Sequence, residues 1–164
     1  MDIDRDAPVQ AAAEIDISAP VDLVWSVQAD LESWARWNPE VTSVSVRGPI
    51  RSGTAFEWKA GGMKVISELG EVDPPRRLGW SGRALGLRAV HVWSFVGDEN
   101  GTRVRTEESF DGAAARLFRG LLKRKLGATL EQGVFALKEE AERRAAAVHR
   151  GGAEIREPNQ EGVA

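Results

Sequence analysis

The chain has 164 residues, of which 42% are hydrophobic and 29% are charged, and its net charge is −3. This composition is typical of one globular domain, and the negative charge argues against a protein that binds nucleic acid through a basic surface. There is no cysteine to form a disulfide or a thiol nucleophile, and the two histidines lack the spacing of zinc ligands. We therefore expect neither a metal site nor a cofactor.

The two ends of the chain differ in composition from its middle. Residues 1–8 are acidic and lack the apolar core of a signal peptide, so we expect a flexible leader on a cytoplasmic protein. No apolar run in the sequence approaches the ~20 residues that cross a bilayer. Residues 148–164 are rich in Gly, Glu, Pro, Asn and Gln, which predicts a disordered tail. The folded domain is expected over residues 9–147.

The beginning of the domain predicts one strand followed by two short helices. Residues 9–17 end in alternating apolar and acidic side chains, a pattern typical of a strand. Ser18 can cap a helix and Pro20 suits its first turn, so a helix is predicted over residues 21–30. A second short helix and a turn follow over residues 31–39. The edge of the sheet is expected to receive three tryptophans of these helices, Trp25, Trp34 and Trp37.

Six further strands are predicted between residues 41 and 111. Their expected ranges are 41–47, 54–59, 63–72, 77–83, 87–96 and 102–110. The alternation slips near Gly70, which predicts a β-bulge. Asp98-Glu99-Asn100-Gly101 joins the last two strands and is a strong hairpin signal. Met63 is a candidate ligand contact, and Leu85-Gly86-Leu87 is a candidate entrance flap.

A long helix is predicted over residues 113–147. Its apolar residues recur at steps of three and four and therefore share one face, namely Phe118, Leu122, Leu126, Leu130, Val134, Leu137 and Ala141. Gly120, Gly127 and Gly133 interrupt the helix and weaken it by about 1 kcal/mol each relative to alanine. These glycines either face the sheet and leave room for a ligand, or lie on the solvent side.

The order of the predicted elements favours an α+β fold. Strands outnumber crossover connections, so about seven strands should form one curved antiparallel sheet. The sheet is expected to wrap around the long C-terminal helix, with the two short helices placed after the first strand. Such an arrangement encloses a tapering space between the sheet and the helix.

Several short segments follow one another at a characteristic spacing. They are Ser18-Ala19-Pro20 with Val24-Trp25, Asp30 with Trp34 and Trp37-Asn38-Pro39, residues 50–54, residues 72–78 with Trp80, and Trp93-Ser94-Phe95 followed by residues 101–104. In this order they resemble the START-like, or SRPBCC, superfamily over residues 9–145. The resemblance implies the helix-grip fold and apolar ligands bound between sheet and helix. Some members, such as the polyketide cyclase/dehydrase-type proteins, are enzymes, but no shared catalytic motif can be carried over.

The last hairpin is predicted to place one polar pair on the concave face of the sheet. Alternation puts His91 and Trp93 on one face of their strand, and Thr106 and Glu108 on the apolar face of the next. A four-residue loop at residues 98–101 sets His91 opposite Glu108, whereas a two-residue Asn100-Gly101 loop shifts the pairing and sets Trp93 opposite Glu108. A three-residue loop would turn the aromatic side chains toward a charged face, so we reject it.

His91 and Glu108 are the candidate catalytic residues. In the first register their Cβ atoms are about 5 Å apart, within reach of a hydrogen bond. The pair is suited to general acid/base catalysis on a bound ketone or enol. Two other roles stay open, which are orientation of a ligand and a purely structural pair that closes one end of the core.

The candidate ligand site combines this pair with aromatic and small residues of the interior. Aromatic walls suit flat or acyl ligands, although each ring is equally consistent with core packing. The full candidate set is Phe56, Trp58, Trp80, His91, Trp93, Thr106, Glu108 and Gly133.

Three functions remain open on the sequence alone. The first is binding of a small hydrophobic ligand, such as a lipid-like, polyketide or aromatic molecule. The second is a cyclase or dehydratase that uses His91 and Glu108, and the third is an interaction module without a ligand. Arg119, Lys123 and Arg124 oppose the helix dipole and could contact an anionic membrane or an acidic carrier protein, or form a solvated face. No nucleic acid partner is expected.

Overall fold

One antiparallel sheet of seven strands dominates the structure, a computed structural model that describes residues 1–154 without the side chains of residues 149 and 151–154. The strands are β1 (Val9–Ile17), β2 (Val41–Val46), β3 (Ala55–Ala60), β4 (Met63–Asp73), β5 (Arg77–Ala84), β6 (Leu87–Asp98) and β7 (Gly101–Asp111). Their order across the sheet is β1-β7-β6-β5-β4-β3-β2. The predicted bulge is confirmed, because the pairing of β4 with β5 shifts between Leu69 and Glu71.

The helices are α1 (Val21–Ala29), α2 (Trp34–Trp37), α3 (Ala113–Leu117) and α4 (Arg119–Glu154), and a single 3-10 turn (Leu31–Ser33) precedes α2. The predicted α+β fold is confirmed, with a curved antiparallel sheet, a long C-terminal helix and short helices after the first strand. Inward-facing apolar residues of the sheet pack against α4, which lies closest to β1.

The two ends of the sheet are distinct. At the end that we call the upper end, the β3–β4 hairpin turns at residues 61–62 and the β5–β6 hairpin turns at residues 85–86. The chain also leaves β7 here, through Gly112. A Cβ atom at Gly112 would lie 2.5 Å from the carbonyl oxygen of Gly86, and its φ of 122° also favours glycine. The upper end therefore brings the β5–β6 hairpin against the start of α3.

At the opposite, lower end, the chain between β1 and α1 meets the second half of α4. The backbone N–H of Ser18 donates to Glu142 Oε1 at 2.9 Å, and Lys138 Nζ donates to the carbonyl oxygen of Asp16 at 2.7 Å. The main apolar core fills this half of the molecule, where Val134 and Leu137 of α4 are buried. A smaller apolar cluster around Leu126 lies nearer the upper end.

The long helix differs from its prediction at both ends. The backbone breaks at Phe118, with φ −110° and ψ 28°, so residues 113–147 are not one continuous helix. The break allows α3 to pack on the upper ends of β6 and β7 while α4 crosses the sheet toward β1. At its other end α4 continues to Glu154, into the range predicted as a tail, and residues 155–164 lie outside the described part.

Residues 1–8, for which we predicted a flexible leader, lie against the outer face of the sheet. Ile3 is buried, and the backbone N–H of Asp4 donates to Ser109 Oγ at 3.1 Å. The Met1 side chain occupies a recess above Gly70 and Gly79, where a Cβ atom would lie 2.8 and 2.9 Å from it. Two glycines on adjacent strands thus create the space that this segment fills.

Candidate functional site

The β6–β7 register sets His91 directly opposite Glu108. The first of the two predicted registers is therefore confirmed, and pairing continues to Asp98 and Gly101, which leaves Glu99 and Asn100 as the turn. Both side chains lie on the inner face of the sheet, where His91 is 7% exposed and Glu108 is 9% exposed. The structure thus buries two titratable groups side by side in an apolar interior.

A chain of polar contacts fixes the orientation of the His91 ring. His91 Nε2 lies 2.7 Å from Thr106 Oγ1, and the Thr106 hydroxyl donates to the carbonyl oxygen of Val92 at 3.3 Å. Because the hydroxyl proton is directed to Val92, Thr106 accepts its other bond from Nε2–H. In the neutral ring, Nδ1 then carries a lone pair, and it has no hydrogen-bond partner within the described structure.

Glu108 faces this lone pair. Its Oε2 lies 3.4 Å from His91 Nδ1, a contact slightly too long for a strong hydrogen bond. Burial lowers the pKa of His91 to about 3 and raises the pKa of Glu108 to about 8. At pH 7 the imidazole is therefore neutral and the carboxyl group is mostly protonated. The pair is an uncharged acid beside an uncharged base rather than an ion pair.

The predicted aromatic residues form a continuous cluster on the inner face. The rings of Trp80 and His91 have centroids 4.6 Å apart, and those of His91 and Trp93 are 5.5 Å apart. Gly133 of α4 lies above Trp93, since a Cβ atom there would be 3.8 Å from Trp93 Cη2. Trp93 Nε1 is buried without a hydrogen-bond partner in the described structure. The structure thus brings together five of the predicted site residues, namely His91, Trp93, Thr106, Glu108 and Gly133.

Trp34 lies on the inner face of the sheet rather than at its edge, which corrects the prediction for this residue. Its ring packs on three others, at centroid distances of 6.1 Å from Phe56, 5.7 Å from Trp58 and 5.3 Å from Trp80. Trp34 Nε1 donates to the carbonyl oxygen of Gln28 at 2.9 Å, which anchors the ring in the interior. Phe56 and Trp80 are consequently buried in the core, and the space on their side of the sheet is filled.

Trp58 and Met63 are the two candidate ligand contacts that stay partly accessible. Trp58 is half-buried, and its Nε1 donates to Ser67 Oγ at 3.0 Å. Met63 is exposed at the upper end, at the start of β4.

Three small residues lie beside the polar pair toward the upper end, next to the larger Phe110, and they were not predicted from the sequence. Ala11 of β1 lies opposite Glu108, and Ala89 is the next inward residue from His91 along β6. Gly82 of β5 lies opposite Ala89. Ala11 and Ala89 are only half-buried although they lie on the inner face. The β1–β7 pairing joins residues almost a hundred positions apart, so no local sequence signal would have identified them.

Two open concavities lie outside this arrangement. One of about 600 Å³ is at the lower end, between residues 98–101 and the α4 residues 142–146. The other, of about 410 Å³, is formed by the β5–β6 hairpin over residues 83–88 at the upper end. Neither includes His91 or Glu108.

Among the side chains that the structure describes, no three of His, Asp or Glu are grouped so that they could hold a metal ion. No helix in this range combines the length and the apolar character needed to cross a membrane.

A family model described as polyketide cyclase / dehydrase and lipid transport matches residues 8–142. The chain belongs to this family. Membership supports a general role in hydrophobic ligand binding or in cyclisation, and the matched range includes the whole sheet and the polar pair. No curated protein matches the chain.

Solved structures from several bacteria have the same fold as this member of the polyketide cyclase/dehydrase family. A hypothetical protein from Helicobacter pylori has a TM-score of 0.76 and 18% identity, covering 85% of this chain and 91% of its own. An aromatase/cyclase from a Streptomyces species has a TM-score of 0.74 and 20% identity, covering 82% and 94%. A START superfamily protein from Mycobacterium smegmatis has a TM-score of 0.72 and 15% identity, covering 82% and 97%. At these identities the likeness shows the fold alone.

Proposed function

We propose that the protein binds a small hydrophobic ligand, lipid-like, polyketide or aromatic, between the inner face of the sheet and α4. The observation that carries this proposal is the buried, uncharged pair of His91 and Glu108 on an otherwise apolar inner face. Beside it, toward the upper end, the inner face is lined by small side chains such as Ala11 and Ala89. We place the ligand on this part of the inner face, beside the polar pair and next to the apolar cluster around Leu126.

The polar pair defines which ligand suits this place. A protonated Glu108 offers one O–H donor, and His91 Nδ1 offers one acceptor. Burying a ligand carboxylate here would leave its charge without a cationic partner, which is costly. The preferred ligand is therefore uncharged and carries a carbonyl or hydroxyl oxygen on an apolar body. Trp93, whose ring stacks beside His91, forms the apolar wall next to that oxygen.

Native mass spectrometry after expression tests the proposal, followed by tryptophan fluorescence titration with quinones and polyketides, and with fatty acids as the charged comparison. We expect a captured or titratable ligand, and a loss of about tenfold or more in affinity for Glu108→Ala, since the polar anchor is removed. Glu68→Ala is the matched control, because Glu68 is exposed on β4, three strands away from β7. Failure of every ligand at every tested concentration contradicts the proposal.

A cyclase or dehydratase is the second candidate, and the proximity of an uncharged acid to an uncharged base favours it. Glu108 can protonate a ligand oxygen while His91 Nδ1 receives a proton, so the pair is equipped for enolisation or loss of water. His91→Ala and Glu108→Gln should abolish turnover of a polyketide substrate but largely preserve its binding. Unchanged turnover in both variants would rule out this assignment.

A further inference from the structure

The first two turns of α4 are not covered by the sheet. Within residues 119–125 only Leu122 is partly buried, whereas regular burial begins at Leu126. A helical segment exposed on nearly all sides gains little from packing, and Gly120 lowers its helix propensity further. This segment is helical at the upper end, and no other element within residues 1–154 buries it.

Large apolar side chains are exposed at the same end. Leu85 is 79% exposed and Leu117 is 76% exposed, and Phe118 and Leu121 are each more than half exposed. Leu85 of the β5–β6 hairpin lies near the three residues of the helices, because Gly86 at the hairpin tip lies against Gly112 at the start of α3. We call Leu85, Leu117, Phe118 and Leu121 the upper patch. Exposed apolar clusters of this kind mark interaction sites.

Leu85 also has a strained backbone. Its φ is 46°, and Gly86 follows with φ 76°. A two-residue hairpin turn with positive φ at both positions is normally occupied by Asn, Asp or Gly at the first of them. Leucine here strains the turn and contributes almost nothing to the core. Its position at the hairpin tip favours a contact outside the chain.

Basic residues accompany the upper patch. Residues 113–130 contain no acidic residue, although the net charge of the whole chain is −3. Five basic side chains lie in this range, Arg116, Arg119, Lys123, Arg124 and Lys125. Arg116 pairs with Asp111 at 3.0 Å, whereas the other four make no ion pair with any side chain that the structure describes. Their charge near the α4 N-terminus opposes the helix dipole, so helix stability does not account for them.

We propose that the upper patch and these basic residues dock the protein onto an anionic phospholipid bilayer. Apolar side chains would insert among the acyl chains while lysine and arginine contact the head groups. The patch combines exposed apolar side chains at a hairpin tip and a helix corner with adjacent basic side chains, the combination that binds the surface of an anionic bilayer. Salt screens charges more than about 8 Å from the bilayer, so binding depends on the basic residues near the patch rather than on the net charge of the chain.

Docking in this orientation would connect the bilayer with the ligand site. Along β6, Leu87 at the upper end and His91 are four residues apart, about 13 Å at 3.3 Å per residue. The upper patch is then the surface at which an apolar ligand, bound as proposed above, would enter or leave the protein.

Vesicle co-sedimentation of the full chain tests the proposal. We expect binding to vesicles of seven parts phosphatidylcholine and three parts phosphatidylglycerol, weak binding to pure phosphatidylcholine, and release at high salt. Lys123→Glu/Arg124→Glu should lower the partition coefficient by at least about 30-fold. Leu85→Asn should lower it by about tenfold, while the melting temperature stays equal or rises because Asn suits the turn.

Arg51→Glu/Arg150→Glu is the matched control, since it makes the same charge change at exposed positions of the lower end. Its binding should equal that of the wild type. The proposal is overturned by equal binding to both vesicle types, by no binding to either, or by an equal loss in the control. Binding to an acidic carrier protein in the absence of vesicle binding likewise overturns the bilayer assignment.

Discussion

Glu108 Oε2 lies 3.4 Å from His91 Nδ1, on residues paired directly across two neighbouring strands. Burial keeps both groups uncharged, since it raises the pKa of the carboxyl group to about 8 and lowers the pKa of the imidazole to about 3. A carboxylic acid that stays protonated at pH 7 is a hydrogen-bond donor rather than an anion. The chemistry of the site follows from the uncharged state of this carboxyl group, which is normally ionised at pH 7.

The pH dependence of folding is the first prediction. Glu108 has a folded-state pKa of about 8, above its ordinary value of 4.5, so its contribution to stability is present at low pH and is lost as the pH rises toward about 8. The free energy of unfolding of Glu108→Gln relative to the wild type should therefore increase with pH by about 1.4 kcal/mol per unit over this window. Urea denaturation at pH 5.5, 6.5 and 7.5 checks the slope, and a flat difference would refute it.

The second prediction concerns the loss of folding stability at acidic pH, which we attribute to His91. Its folded-state pKa of about 3 lies below its ordinary value of 6.5, so protons bind the unfolded state preferentially as the pH falls from 6.5 toward 3. Stability should decrease over this window, and His91→Gln should lose less stability than the wild type between pH 6 and pH 4. Parallel curves for the two proteins would show that His91 is not the responsible group.

Thr106 is predicted to hold the His91 tautomer. Thr106→Val leaves His91 Nε2–H without a partner, at a cost of about 1–3 kcal/mol in the free energy of unfolding. Thr106→Ser keeps the hydroxyl group and should recover most of the loss. The ¹⁵N chemical shifts of the imidazole should indicate Nε2–H in the wild type and in the serine variant. The same shifts in Thr106→Val would contradict a positioning role.

A substitution at Gly133 should change helix stability and ligand affinity in opposite directions. Gly133→Ala places a methyl group 3.8 Å from Trp93 Cη2 and raises helix propensity, so the protein should gain about 1 kcal/mol while losing affinity for a ligand that lies on that ring. Gly120→Ala is the control, because nothing lies within 4 Å of its Cβ position. Thermal unfolding and fluorescence titration should show a gain in stability for both variants and a loss of affinity only for Gly133→Ala.

Trp34 should be the tryptophan of the short helices on which folding depends most. Its ring contacts Phe56, Trp58 and Trp80, so Trp34→Ala should cost about 3–5 kcal/mol. Trp37 is only half-buried, and Trp37→Ala should cost clearly less. Urea denaturation of both variants gives the comparison, and equal losses would place Trp34 at the sheet edge after all.

The sequence predicted those features that depend on local periodicity and turn chemistry. Alternation placed His91 and Glu108 on the same face, and the hairpin at residues 98–101 limited the register to two possibilities. One of these brings the pair together, so the central element of the candidate site was accessible without a structure.

Features that depend on contacts between distant segments were not predicted. Trp34 reaches the inner face only because α2 packs over Phe56. No local sequence pattern around Trp34 indicates that contact. Met1 packs in a recess at Gly70 and Gly79, which lie on neighbouring strands. The break at Phe118 likewise reflects competition between packing on β7 and packing on β1, which helix periodicity alone does not reveal.

The pH dependence of ligand affinity tests the central claim most directly, namely that an uncharged Glu108 anchors an uncharged apolar ligand. Fluorescence titration with a carbonyl-bearing ligand at pH 6 and pH 9.5 should give about tenfold or more weaker binding at the higher pH in the wild type, and equal binding in Glu108→Gln. Affinity that does not change with pH in the wild type, or that falls equally in both proteins, would contradict the account.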